Sequence, residues 1–546
     1  MIDLFYRERT DLFRLLGVTA GCTSGVLRWR SGGVSALALM PILLTGCAVQ
    51  PAYQRPDLNA APAWDNVAQQ AASNSPAVDV AIDAWWEILR DPAIDALVEA
   101  ALIDNPTLGQ AVARIDQAGA TARASDAQRL PQVSVDGSIT RAQTGGAQTG
   151  SGALTATQST AALGPGLSWE LDLWGRLKET TLAANSRLGA RTADAAQTRL
   201  SLSGQIADAI LRLRACYFSL AVRDRDIAAR ELELGVTRER LSLGNVAPIE
   251  AANAVSNLAT ARTDQISQQE ACARIVNELV ALGGREASSV RTLVRAPAGS
   301  PVVLPSPLTK RNTLAPIQNV DASTIIPEPP PLTLALPATI LLRHPNVVAA
   351  EREAAARWAE IGVARADRLP RINLVGLLTG NWIRMLGSAS SFDTWSVGAE
   401  LSGPLFDGGS GAANVRGAQA RYREALDALR SAIRAATQDV EDALVGQQSA
   451  QQRVITSRQA VEAAQYALRA NEARWRAGAI SMFELEDSRR RFNGAQENTI
   501  VAARDRAQAW VALVRAAGGQ FSVQAASPAE SGTIPSQPHQ GGAQQR

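Results

Sequence analysis

A chain of 546 residues with 46% hydrophobic and 19% charged residues can bury a large core. Its formal net charge is only +2, and its arginines are interleaved with Asp and Glu, which excludes the strongly basic face that a nucleic-acid partner requires. No apolar run reaches the roughly 20 residues of a spanning helix, so any membrane crossing falls to strands.

Arg28 and Arg30 precede an apolar stretch from Val34 to Leu44, which leads into Leu44-Thr45-Gly46-Cys47. Charged lead, short apolar run and small residues form a secretory signal. With a cysteine at the processing point, the pattern resembles a bacterial lipoprotein signal. Residues 1–46 are then removed, and Cys47 is the lipid attachment residue, carrying a diacylglycerol and an acyl chain. Ala48 at the next position implies sorting to the outer membrane. A free cysteine after an ordinary signal is the competing reading, and Cys22 is a weaker candidate for the same role. Residues 47–92 are rich in Pro, Ala, Asn and Gln and read as a lipidated tether, with Trp85-Trp86 packing it onto the body.

Beyond the tether the chain is one design written twice, over residues 93–284 and 333–519. Arg129-Leu130-Pro131 recurs as Arg368-Leu369-Pro370 at the same spacing that relates Pro106 to Pro345. Gly175, Gly244 and Glu250 likewise recur as Gly409, Gly478 and Glu484. Each copy reads as helix, strand, strand, long helix, turn, helix. In the first, a helix over Asp95–Gln128 precedes alternating Val133, Val135 and Ile139; a Gly, Ser and Thr-rich tract then separates these from a strand at Leu167–Leu173. In the second, Arg371–Trp382 and Trp395–Leu401 repeat the pair. Strands with one apolar and one polar face suit a wall between lipid and a water-filled lumen.

In the long helices Ile206, Leu213, Leu220, Ile227, Leu234 and Leu241 fall every seven residues, and Val415, Tyr422, Leu429, Ala436 and Ala443 keep the same rhythm, so both form coiled-coil seams. A helix from Arg176 to Leu243 spans about 100 Å. The flanking helices, Asp95–Gln128 and Ala247–Leu282, sum to a similar length and are predicted to stack end to end beside it. Gly244 and Gly478 mark the hairpin turns. The proline-rich linker, residues 285–332, is predicted to cross the wall as an extended equatorial belt, and the Ser, Pro, Gln and Gly-rich tail, residues 520–546, to be disordered.

Four strands cannot close, and an open edge in lipid leaves backbone groups unpaired at several kcal/mol each. Two copies would leave no usable bore, whereas three give twelve strands above a ring of twelve helical positions. A homotrimer is therefore expected. The fold class is mainly α with a small transmembrane β part: a trimeric coiled-coil tunnel joined to a 12-stranded barrel, four strands per protomer, from two internal repeats.

Gly46-Cys47-Ala48-Val49, Tyr53-Gln54-Arg55-Pro56, Asn105-Pro106, Leu130-Pro131, Trp169-Glu170-Leu171-Asp172-Leu173-Trp174-Gly175-Arg176 and Pro404-Leu405-Phe406-Asp407-Gly408-Gly409, with Gly478 and Glu484, together resemble the TolC-type outer-membrane efflux factors. The likeness is to their lipoprotein, NodT-like branch, which serves resistance-nodulation-division (RND) pumps. It implies an outer-membrane location, a helical tunnel in the periplasm, a periplasmic adaptor (membrane fusion protein) and an inner-membrane RND transporter as partners, and passive conduction of small molecules or drugs without turnover. By the same resemblance Glu484 and Asp487 face the axis as a pore constriction, where threefold symmetry makes a carboxylate ring that favours cations. Ser481-Met482-Phe483-Glu484 is also a capping box, which accounts for Glu484 without a pore role. Arg474 and Arg476 are candidates to latch the tip by pairing with acids.

Cys216 and Cys272 lie equally far before and after Gly244, at one height on the hairpin, so in an oxidising periplasm a disulfide between them is one reading and two small buried residues the other. The two histidines, His344 and His539, stand far apart, and no nucleophile elbow, phosphate loop or paired metal-ligand spacing occurs, which argues against an enzyme and against any metal or cofactor beyond the lipid. An exit duct for one-step (type I) protein secretion is the runner-up; a periplasmic adaptor fits less well, since it would carry one helical hairpin rather than two.

Overall fold

The computed structural model describes residues 50–57, 63–66, 77–79, 82–145, 155–295, 325–330, 332–333, 337–385, 388–519 and 522–524. The predicted signal, Cys47, most of the proline-rich linker, and His539 with nearly all of the tail lie outside them.

The tether contributes a short strand, β1 (Ala77–Asp79), and a 3-10 helix (Ile82–Leu89). The first copy follows as α1 (Pro92–Asp104), α2 (Pro106–Ala127), β2 (Gln132–Gly145), β3 (Thr155–Leu171), α3 (Arg176–Ser242) and α4 (Pro248–Gly283). The linker supplies α5 (Ala287–Arg295) and β4 (Leu332–Thr333). The second copy is α6 (Pro337–Arg343), α7 (Pro345–Ala366), β5 (Arg371–Met385), β6 (Ser388–Ser402), α8 (Ser410–Arg476) and α9 (Met482–Ala516), closed by β7 (Ser522–Gln524).

Four differences from the sequence reading have physical causes. The helix expected over Asp95–Gln128 is two helices, because Asn105 takes an extended conformation before Pro106 and its Oδ1 caps α2 by accepting from Thr107 and Leu108 N–H. The Asn105 Nδ2 donates to the Leu282 carbonyl at 2.9 Å, fastening the break to the end of α4. Much of the Gly, Ser and Thr-rich tract is strand, since cross-strand pairing from Gly145↔Thr155 to Gln132↔Ser168 carries β3 back over it. The linker begins with the proline-free helix α5 rather than an extended belt, burying Val290 and Val294. In the tail, Ser522–Gln524 form a strand that pairs with both β1 and β4.

The helices form a wall four across. Near the sheet, α3 packs between α2 and α7, and α7 against α8; further away, α3 packs between α4 and α9, and α9 against α8. Both α3 and α8 have 67 residues, about 100 Å each, and run the full height. The main core lies midway, where Trp85, Trp86 and Trp510 gather with Ile206, Ile210, Leu213 and Val276. Two of its three indole N–H groups find partners, Trp85 Nε1 donating to Ser203 Oγ at 3.0 Å and Trp510 Nε1 to the Pro330 carbonyl at 2.9 Å, while that of Trp86 is buried without one among the described residues.

The large strands form one antiparallel sheet in the order β2-β3-β5-β6. Its register puts Val133, Val135 and Ile139 on one face with Leu163, Leu167, Ile372, Leu374, Leu378, Trp395, Val397 and Leu401. The opposite face carries Ser134, Asp136, Thr140, Thr160, Ser168, Asn373, Thr379, Asn381, Thr394 and Ser396, interrupted by Val375, Leu377 and Phe392. Trp395 and Val397 are 77% and 81% exposed in the protomer, so the apolar face has no cover among the described residues. Among the described residues β2 and β6 each pair on one side only, and no helix is long and apolar enough to cross a membrane.

Candidate functional site at the helix tips

Both hairpins turn by the same device. At the end of α3, Gly244 takes φ 71° while its N–H donates to the Leu241 carbonyl and that of Asn245 to Arg240. At the end of α8, Gly478 takes φ 73°, its N–H donates to Trp475, and that of Ala479 to Arg474. These are Schellman-type closures, which satisfy the last carbonyls of each helix and require a left-handed residue. Pro248 and Met482 then begin the returning helices.

Ser481 caps α9, its Oγ accepting from the Glu484 N–H at 3.3 Å. The Glu484 side chain is exposed. Asp487 is bound within its own helix, 3.3 Å from the Arg490 guanidinium and 2.7 Å from that of Arg491. Its charge is thus partly screened on α9 itself. Arg474 donates to the Asn471 amide oxygen at 3.4 Å, and among the described residues no carboxylate pairs with it. Arg476 ends α8, and its side chain is outside the described set. The contact between the tips of α3 and α8 comes instead from Arg240, whose guanidinium lies 5.4 Å from the Trp475 ring centroid.

The structure joins Cys216 of α3 to Cys272 of α4 as a disulfide, with their Cα atoms 5.7 Å apart. Two residues before Cys216, Arg214 forms a buried two-pronged pair with Asp91, which also caps α1 through Ala93 and Ile94.

A buried charged cluster on α3 and α9 escaped the sequence reading. Arg230 pairs with Asp226 at 2.7 Å on its own helix and with Glu486 of α9 at 3.2 Å. Arg489 of α9 pairs with Glu486 at 2.9 Å and with Glu233 of α3 at 3.4 Å. Asn493 donates to Asp226 at 2.8 Å. Glu233 and Glu486 are both buried, at 9% and 7% exposure. Burial first, and the adjacent Glu486 second, push the Glu233 carboxyl up to about 8. Burial also opposes ionisation of Glu486, but its hydrogen bond with Glu233 and the two guanidinium groups outweigh that, holding it below the usual range. The signal was present as a second three-and-four spacing, Asp226, Arg230, Glu233, one position off the apolar register of Ile227 and Leu234.

A two-faced sheet open at both edges, set on two helical hairpins, identifies a family only where the sequence agrees as well. It does: the outer membrane efflux protein family matches over residues 97–285 and 336–519. The chain belongs to that family. This efflux protein is 28% identical over 490 residues to nodulation protein T of Rhizobium leguminosarum bv. trifolii, covering 88% of this chain and 96% of the relative. It is 26% identical over 489 residues to the toluene efflux pump outer membrane protein TtgC of Pseudomonas putida, covering 89% and 95%. It superposes on the outer-membrane channel OprN with a TM-score of 0.70, at 26% identity, over 87% of this chain and 99% of that one. The tunnel-and-barrel fold class read from the repeats is therefore that of known outer-membrane channels, and the efflux protein's hairpin tips lie at the end of the wall away from the sheet.

Proposed function

We propose that this efflux protein is the outer-membrane exit channel of a tripartite RND-type pump, a homotrimer that docks a periplasmic adaptor and an inner-membrane RND transporter and conducts small molecules passively. The observation that carries this reading is the sheet: one apolar and one polar face, two unpaired edges, and a helical wall about 100 Å tall below it. Edges of that kind are stable in lipid only when further copies pair with them. The type I secretion duct remains the second use of the same architecture, and no observation favours it here.

Lipid anchorage at Cys47 belongs to the same proposal, and the path of the first described residues supports it. Gln50 accepts from Arg365 at 2.6 Å, Pro51 from Trp358 Nε1 at 3.0 Å, and Leu342 accepts from Arg55 at 3.4 Å. Successive residues thus descend α7 away from β5. Gln50, three positions after Cys47 in the sequence, therefore lies at the sheet end of α7, the end that the proposal assigns to the membrane.

The carboxylate ring is proposed at Glu484 and Asp487. Planar-bilayer recordings of the purified protein should give cation-preferring steps, and Asp487→Ala should raise conductance several-fold and weaken that preference; currents identical to wild type would remove Asp487 from the constriction. Native mass spectrometry of the same preparation should give a trimer, and a monomer alone would overturn the channel.

A further inference from the structure

The contact between α3 and α9 changes character along its length. Midway it is apolar, through Ile206, Ile210, Val511 and Val514. Toward the tips it turns charged, first through Arg223 and Glu497 at 3.4 Å and then through Asp226, Arg230 and Glu233 facing Glu486, Arg489 and Asn493. Apolar side chains at that level turn to the partner within each hairpin: Ile227 and Leu234 to Ala254 and Leu258 of α4, Leu485 and Phe492 to Val461 and Leu468 of α8. Parting the hairpins here leaves each apolar seam closed and uncovers charged groups that water readily solvates. The lower α3–α9 line is therefore the easiest place for the wall to divide.

The cluster is also one proton short of neutrality. Arg230 and Arg489 balance two of the carboxylates, Asp226 and Glu486, and Glu233 is the third. At this level α4 and α8 bring the apolar side chains just named to the seam, while the charged neighbours are paired among themselves: Arg262 of α4 with Glu231 at 2.7 Å on the exposed side, and, next up the seam, Arg223 of α3 with Glu497 of α9 at 3.4 Å, where Asp226 and Asp264 of α4 also act on Glu497. Three ionised acids against two guanidiniums would leave a net negative charge in a buried interface. A proton held between Glu233 and Glu486 removes it and turns repulsion into a hydrogen bond.

We propose that this cluster is a proton-dependent latch for the channel: with one proton shared by Glu233 and Glu486 the lower α3–α9 seam is closed, and release of that proton to water loosens the seam and favours the open tunnel. The proposal rests on the channel reading above. Its direction follows from linkage. In the closed seam the shared carboxyl binds its proton more tightly than a solvated glutamate in the parted seam, so the closed form carries more protons between the two values. The latch is strongest below the ordinary glutamate range and is lost as pH rises through that of the closed seam.

The test is single-channel recording of the full-length protein in planar bilayers, stepped from about pH 6 to about pH 9, a range above that in which ordinary solvated carboxylates titrate. Open probability of the wild type should climb with pH, by up to about ten-fold per unit for each proton released. Glu233→Gln keeps the hydrogen bond without a titrating group and should hold the channel at its low-pH behaviour throughout. Glu486→Gln leaves Glu233 alone with Arg489 and should flatten the profile too. Native mass spectrometry showing trimers of both variants keeps misfolding from mimicking the result. A wild type that conducts without responding to pH, or a Glu233→Gln channel that keeps the wild-type slope, overturns the latch and leaves the channel standing. A wild type that never conducts overturns both.

Discussion

The two hairpins have the same turn and nearly the same lengths, with 67 and 36 residues in α3 and α4 against 67 and 35 in α8 and α9, yet they are fastened differently. In α3–α4 the strong ties sit high, near the middle of the molecule: the Cys216–Cys272 bond, the buried Asp91–Arg214 pair and an Arg212–Glu278 contact at 2.6 Å. At the positions that match Cys216 and Cys272 relative to the turn, α8 and α9 have Ala450 and Arg506. Arg506 reaches the linker instead, 2.7 Å from Glu328. The ties of α8–α9 continue down to the tip through Val461, Leu468, Leu485 and Phe492, with Asn471 donating to Ser488 at 2.5 Å. Duplication preserved the outline while the two copies came to hold it at different heights. One hairpin is anchored at its root and the other along its shaft.

The largest expected break in that contrast is at the root of the first hairpin. Asp91→Ala removes the α1 cap and leaves the Arg214 guanidinium buried without its partner, which costs about 3–5 kcal/mol. Thermal unfolding of the detergent-solubilised protein should show a clear fall in Tm, with Asp91→Asn lying between because it keeps an acceptor for the Ala93 and Ile94 N–H groups. An unchanged Tm for Asp91→Ala would mean that the pair does not anchor the hairpin. Next in size is the staple. The bond spans 56 residues of sequence, and replacing both cysteines by alanine should cost about 2–4 kcal/mol. A thiol reductant should lower the wild-type melting temperature toward that of the double variant and leave the variant where it is; coincident melts with and without reductant would show that the thiols are not bonded in the isolated protein.

How much of this the sequence displayed depends on whether a feature is local or needs two distant segments to meet. The seams of α3 and α8, the turns at Gly244 and Gly478, and the equal heights of Cys216 and Cys272 follow from period and spacing within one hairpin, and all were legible. Asn105 was legible in principle, since an Asn before Pro both leaves the helix and caps the next one, but helical composition on either side concealed the break. The pairing of Asp487 with Arg490 and Arg491 also lay within reach of the three-and-four rule. The Glu233–Glu486 cluster lay outside it. Charged residues on a helix read as solvated until something says which neighbour covers them, and nothing in the spacing of α3 shows that this face meets α9. Arg240 on Trp475 was hidden for the same reason.

The smallest effect sharpens the contrast at the tips. Gly244→Ala and Gly478→Ala both force a side chain into a left-handed conformation, at about 1–2 kcal/mol each. Neither glycine has a neighbour within contact distance of an added Cβ, so the cost is conformational and should be equal at the two turns. The reach of the damage should differ. Above Gly478 the apolar cluster begins at once with Trp475, Ile480 and Met482 beside Leu485. Above Gly244, Leu243 and Ile249 are 68% and 67% exposed, and the first buried apolar contacts are those of Leu234 with Ala254 and Leu258. Hydrogen exchange should therefore show fraying confined to the turn in Gly478→Ala and extending up α3 and α4 to the Leu234 level in Gly244→Ala. Equal spread in both hairpins would mean that the shaft contacts of α8–α9 add nothing to the rigidity of its tip, and that the difference in fastening ends at the root.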